Sequence, residues 1–250
     1  LANYFKEFAE FTKEQNREID FISEEYLNWF SESELPKIKL LLEDLRKLDS
    51  NNSEVSVKLA FEKGEEIFTR TNDYFKERII TFSKGLSEEQ IIQIGLHFDE
   101  LSQEREEENK KDKKGYKERL LNNYLSGFER IGIDLRDDQL EKIELKLRLH
   151  IEIAEEWYEL RRSWTEDFIR LLKRNKSYGY ETQMNEYFNS LNNLGNKEFR
   201  AKVDKNEKLA IEIINFVFLT ADEKQMKGFT RTLEIYLKSI NRILSKRQVK

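Results

Sequence analysis

The chain has 250 residues, 38% hydrophobic and 37% charged, with a formal charge of −5 from 44 basic and 49 acidic side chains. Proteins that hold phosphate backbones present a basic face; here both signs are interspersed throughout, which argues against nucleic acid as a partner. Cysteine is absent, which excludes disulfides and Cys-based zinc sites, while seventeen Phe, ten Tyr and three Trp supply the buried area that folding requires.

One Pro and nine Gly leave few turn signals. Apolar residues recur at three- and four-residue steps, so the expected fold is all-α: an elongated multi-helix bundle with long antiparallel hairpins, read as one domain over 1–250. The first helix start is FTKEQ, where Thr12 and Gln15 have capping-box spacing. Tyr26 to Leu48 holds the only proline. Either Ser33 caps a helix with Pro36 in its first turn, or Pro36 kinks one continuous helix. After a break at DSNNS (49–53), a stripe runs through Val57, Phe61, Phe68, Phe75, Ile79 and Phe82 to a second break at 83–85. In LSEEQ, Ser87 and Gln90 form the second box, Leu86 and Ile91 are placed as a hydrophobic staple, and Glu88 and Glu89 complement the helix dipole. Ser102 to Gly115 has no apolar residue and reads as a projecting, solvated arm, or as an electrostatic docking site for a partner. Glu106–Lys110 and Glu107–Lys111 are oriented to support its helix.

A break at Gly132–Asp134 precedes LRDDQ, in which Arg136 occupies the cap position and damages the box, although Leu135 and Leu140 keep the staple spacing. No Gly or Pro interrupts Arg136 to Arg174, which predicts one helix of about 58 Å. Its second half places Trp157, Leu160, Trp164, Phe168 and Leu171 on one face, with Arg161 beside it to stack on an indole or meet a carboxylate. Two readings fit: core packing between long helices, or an aromatic groove for peptides or glycans. Breaks follow at Asn175–Gly179 and Asn192–Asn196. The apolar run Leu209 to Leu219 is too short to span a bilayer and is interrupted by Glu212 and Asn215. Thr220 and Glu223 form a fourth box, followed by a stripe from Met226 to Ile243. The four similar phrases start at residues 11, 86, 135 and 219, which is no fixed period; they mark helix starts rather than a tandem repeat.

Chemistry is harder to find. The two histidines are His97 and His150, and neither lies in Glu-x-x-His or His-Glu-x-x-His. No Gly-rich phosphate loop and no Gly-x-Ser-x-Gly elbow occurs. No catalytic residue, metal ligand or cofactor is assigned, and the expectation is a non-enzymatic protein. The alternative is a metal-dependent or other helical enzyme using His97, with Glu100 one turn away, and His150.

FTKEQNREIDFISEEYLNWFSESELPKIKLLLEDL, LSEEQIIQIGLHFDEL and YELRRSWTEDFIRLLKR follow an order that resembles a lipoprotein family of unknown function in the Gram-negative cell envelope. The matching positions include Trp29, Glu34, Leu35 and Pro36, then Arg161, Arg162 and Trp164, over most of residues 3–175. The helix-start phrase is also similar to one in periplasmic chaperones of the Spy/CpxP type. The resemblance implies a signal peptide and a lipid-modified cysteine upstream of Leu1, hence a tether to the outer membrane and a periplasm-facing body. It implies no catalytic residues. The candidate binding or family-motif positions are Trp29, Glu34, Pro36, Trp157, Arg161 and Trp164. The expected partners are proteins of the cell envelope, bound through helix faces, with a chaperone-like holdase as the alternative.

Overall fold

The computed structural model describes residues 1–48, 52–111, 115–191 and 194–247, without the side chains of 108–111 and 247. Part of the 49–53 break, the tip of the charged segment and the side chains of Lys110 and Lys111 in its ion pairs therefore lie outside what is described. Ser102 to Glu107 are helical and mostly exposed. The fold is all-α, with no strand among the described residues. The helices are α1 (Ala2–Lys6), α2 (Lys13–Trp29), α3 (Leu35–Leu45), α4 (Ser53–Ser83), α5 (Glu88–Lys111) and α6 (Tyr116–Arg130). After them come α7 (Asp137–Leu147), α8 (Ala154–Leu172), α9 (Tyr180–Ser190), α10 (Lys197–Thr220) and α11 (Glu223–Arg247). No helix among the described residues is long and apolar enough to cross a membrane.

Two compact units divide the chain: unit 1 is Leu1–Asn28, Phe68–Lys113 and Ile153–Arg200, and unit 2 is Trp29–Ile67, Lys114–Glu152 and Ala201–Lys250. Each has its own core. Unit 1 buries Ile80, Leu86, Ile91, Ile94, Phe168, Leu172 and Met184, while unit 2 buries Ile133, Ile143, Leu147, Ile213, Val217, Phe229 and Leu233.

The predicted helix starts turn out to be paired, one pair inside each unit. In unit 1 both predicted boxes form: Gln15 N–H donates to Thr12 Oγ1 and Thr12 N–H to Gln15 Oε1, and Ser87 and Gln90 repeat the exchange. The two glutamines then bond each other, Gln15 Nε2 to Gln90 Oε1 at 3.0 Å and Gln90 Nε2 to Gln15 Oε1 at 2.7 Å. Their remaining protons go to the backbone carbonyls of Gly85 and Glu10. Each amide thus caps its own helix start and ties it to the other.

Unit 2 repeats the device with different residues. Asp222, not Thr220, caps α11: its carboxylate accepts from Gln225 N–H at 2.8 Å, and Gln225 Oε1 accepts from Asp222 N–H. Thr220 fails as a cap because α10 runs through it and its hydroxyl donates to Phe216 O inside that helix. At α7, Gln139 Oε1 accepts from Arg136 N–H, which keeps half the box; an arginine side chain has no acceptor for the other half. Gln225 Nε2 donates to Gln139 Oε1 at 2.8 Å and to Asp134 O at 2.6 Å. The Arg136 guanidinium bridges instead, to Asp138, Asp222, Gln225 and the terminal carbonyl of α10 at Thr220. A cation suits that helix end. The Asp222 carboxyl is held below its usual pKa, first by the Gln225 N–H it caps and then by Arg136.

The single helix predicted for Arg136 to Arg174 does not exist; α7 ends at Leu147 and α8 starts at Ala154. The cause is a distant amide. Asn206 accepts from Ile151 N–H at 2.9 Å and donates to Ile151 O at 2.8 Å, occupying both backbone groups that would continue the helix. His150 lies in this break, with Nδ1 2.8 Å from the Tyr116 hydroxyl. Burial holds its pKa below the usual 6.5, with Lys117 acting in the same direction. The unfolded chain then binds this proton more readily than the folded one. The associated stability is present above about pH 6.5 and is lost as pH falls through the folded pKa. The melting temperature of the wild type is therefore expected to fall more between about pH 7.5 and about pH 5.5 than that of His150→Gln. Parallel curves would show that His150 does not titrate against folding.

At the proline, the backbone stays helical from Lys13 to Leu45, and Phe30–Glu34 is a π-helical turn in which Leu35 N–H donates to Phe30 O. Pro36 has no N–H, and its ring would press on the carbonyl four residues back; widening the preceding turn relieves that clash. Of the two arrangements left open by the residues, the continuous helix is the one found, without a Ser33 cap.

Candidate functional site

Unit 1 encloses an apolar cavity of about 220 Å³. Eight of the seventeen phenylalanines line it. Phe5, Phe8 and Phe11 come from α1 and the segment after it, Phe75 and Phe82 from α4, Phe98 from α5, Phe168 from α8 and Phe188 from α9. Bulky rings meeting edge to face (Phe8 with Phe98, Phe11 with Phe82, Phe98 with Phe168) leave gaps that shorter, branched side chains would fill. A closed void of that volume costs about 5 kcal/mol at ~24 cal/mol per Å³, an upper figure because this one is half-open.

One wall is a ring stack. Trp164 lies on Phe168 and Tyr187 with centroids 5.6 and 5.1 Å away, and the Tyr187 hydroxyl donates to Trp164 O at 2.6 Å. Burial, and secondarily Asp167, raises the Tyr187 pKa, so the hydroxyl stays a donor. The Trp164 indole nitrogen is buried and has no hydrogen-bond partner among the described residues. At another point on the lining is Arg78, whose guanidinium stacks 3.5 Å from the Tyr74 ring centre, donates to Tyr74 O and stands 3.9 Å from Glu25. The cavity surface is almost wholly apolar.

The predicted positions fall in both units. Trp157, Arg161 and Trp164 belong to unit 1. Trp164 lines the cavity; Trp157, 38% exposed, packs edge-on against Phe199; Arg161 is exposed. Trp29, Glu34 and Pro36 belong to unit 2, in and beside the π turn. Glu34 is fully buried at 0% exposure, and Lys37 Nζ reaches it at 2.8 Å.

Neither histidine gathers ligands among the described residues: His97 Nδ1 is 3.9 Å from Glu100, its buried Nε2 has no hydrogen-bond partner among them, and its ring meets the edge of Phe8. Among the described residues no group of three or more His, Cys, Asp or Glu is placed to hold a metal ion.

A second feature is an apolar stripe on α5. Ile91 and Ile94 are buried in the unit 1 core, but Ile92 and Leu96, one turn apart, are 50% and 57% exposed. Sequence reasoning missed both the cavity and this stripe. The available signal was the spacing of Phe5, Phe8 and Phe11 for the first, and the excess of apolar residues around α5 for the second.

The model of a family of unknown function (DUF6279) matches residues 7–200. No curated protein and no solved structure matches this chain.

Proposed function

Because the chain belongs to this family of unknown function, membership brings no activity with it, and we propose from the residues that the protein is a non-enzymatic, periplasm-facing lipoprotein of the cell envelope. It binds protein partners or clients through helix faces. The observation that carries the reading is the exposed pair Ile92 and Leu96 on α5, whose opposite face is fixed in the core and whose continuation, Ser102 to Glu107, is charged. An apolar stripe beside a charged extension suits a helix groove on a partner, the stripe giving affinity and the charges giving orientation. The envelope location and the outer-membrane tether through a lipid upstream of Leu1 rest on the motif order around Trp29–Pro36 and Arg161–Trp164. Stable anchoring needs more than one acyl chain, which a bacterial lipoprotein carries.

The test uses the full-length protein in its own cells. It is expected to fractionate with the envelope, and a photocrosslinking residue at Leu96 is expected to form discrete protein adducts that one at the exposed Glu141 does not. Recovery in the cytosol, or equal adducts from both positions, would sink the proposal. The holdase version draws on exposed apolar residues elsewhere, such as Phe21, Val55, Leu149 and Ile235. It requires that the protein suppress aggregation of an unfolded client at stoichiometric amounts.

A further inference from the structure

We propose that α11 lays an exposed row of cations on an anionic lipid surface, a contact separate from the α5 stripe and from any tether upstream of Leu1. From Glu223 to Arg247 the helix carries seven Lys or Arg against two acids, +5 on one element of a chain whose total is −5. Lys224, Lys227, Arg231, Lys238, Arg242 and Lys246 are all exposed, at steps of three, four, seven, four and four residues. Those steps are close to whole turns, so the six cations form one line about 33 Å long at 1.5 Å per residue. The opposite face, through Phe229, Leu233, Leu237 and Ile240, is buried, which fixes the line outward. Signs that are mixed along the chain are sorted here by the turn of the helix.

Helix stability does not account for the row. Lys224 and Lys227 stand near the start of α11, where the helix dipole disfavours positive charge. Lys227 with Arg231, Lys238 with Arg242 and Arg242 with Lys246 are like-charge pairs four residues apart, which oppose the helix. Nor is the charge taken up inside the fold: none of the six makes an ion pair among the described residues. The carboxylates of α3, which packs against α11, are held by its own lysines, Glu43 by Lys39 and Asp44 by Lys47. A row that weakens its own helix and has no internal partner fits an external anion.

Two features favour a bilayer over a nucleic acid. The row lies on a helix half-sunk in unit 2, which can rest on a flat surface but does not enter a duplex groove. Ile235, 54% exposed, falls within the row; it gains nothing from phosphates alone and settles among lipid headgroups.

Co-sedimentation of residues 1–250, which carry no acyl chain, with sucrose-loaded vesicles tests the assignment. The protein is expected to pellet with phosphatidylcholine vesicles containing about 30% phosphatidylglycerol at about 50 mM NaCl, and to be released at about 500 mM. It is expected to ignore pure phosphatidylcholine. Combining Lys227→Gln, Arg231→Gln, Lys238→Gln and Arg242→Gln is expected to weaken binding by about a hundredfold. Combining Lys13→Gln, Arg17→Gln, Lys173→Gln and Arg174→Gln removes as much exposed charge from unit 1 and is expected to leave binding within about twofold. Ile235→Ser is expected to weaken it about threefold. Circular dichroism melts confirm that the variants fold, and the wild-type comparison of the two lipids stands without them. The proposal fails if wild type does not pellet with the phosphatidylglycerol vesicles, if the two quadruple variants bind alike, or if duplex DNA at the same salt is bound more tightly than those vesicles.

Discussion

Replacing Gly228 by alanine is expected to destabilise the protein by about 3 kcal/mol, although alanine is the better helix former. Gly228 lies in the second turn of α11, and its Cα rests against the turn at Gly132. A Cβ at 228 would fall inside the van der Waals surface of the Gly132 carbonyl oxygen, which is backbone and cannot rotate away. Gly132 has φ +82°, a conformation that side chains resist, and a Cβ there would meet the Gly228 carbonyl in turn. Relief requires α11 to move off the turn, which would pull the Gln225 amide from Asp134 O. Gly64 is the control. It is also inside a helix, but nothing lies within 4 Å of a Cβ there, so Gly64→Ala is expected to stabilise by about 0.5–1 kcal/mol. Urea unfolding of the two variants gives opposite signs if the backbone approach is as described, and the same sign if it is not.

Gln139→Leu is expected to cost about 3 kcal/mol, more than an ordinary surface cap. Gln139 is fully buried, accepts from Arg136 N–H and Gln225 Nε2, and donates to Thr220 Oγ1 at 3.0 Å. Leucine fills a similar volume but leaves those donors facing an apolar group. Gln225→Leu should cost a comparable amount, about 3 kcal/mol, because the same amides are stranded from the other side. The double variant should be milder than the sum by about 1–2 kcal/mol, since each single change already breaks their mutual bond. Additive losses would show that the two glutamines act only as separate caps. In unit 1 the equivalent Gln15 is partly exposed, so water can replace its partner, and Gln15→Leu should cost about 1 kcal/mol.

The caps at Thr12 and Ser87 were legible because a capping box is a local bargain between residues three apart. Thr220–Glu223 and Asp222–Gln225 both satisfy that spacing, and only the run of α10 through Thr220 decides between them. Arg136 looked like damage to a box; its bridge to Asp222, Gln225 and Thr220 O depends on residues more than eighty positions away. The break after Leu147 carries no Gly or Pro, because the breaker is the side chain of Asn206. The aromatic face of α8 was visible as a stripe, but whether Trp164 meets solid core or a cavity turns on rings from five other parts of unit 1.

Helicity, helix starts and the scarcity of acid–base chemistry follow from hydrophobic period, capping spacing and residue inventory, all of which act within a few residues. The pairing of the four glutamines, the Gly132–Gly228 approach and the void beside Trp164 arise only when distant segments are brought together. Their energies come from desolvated hydrogen bonds and close packing between surfaces that no local pattern aligns.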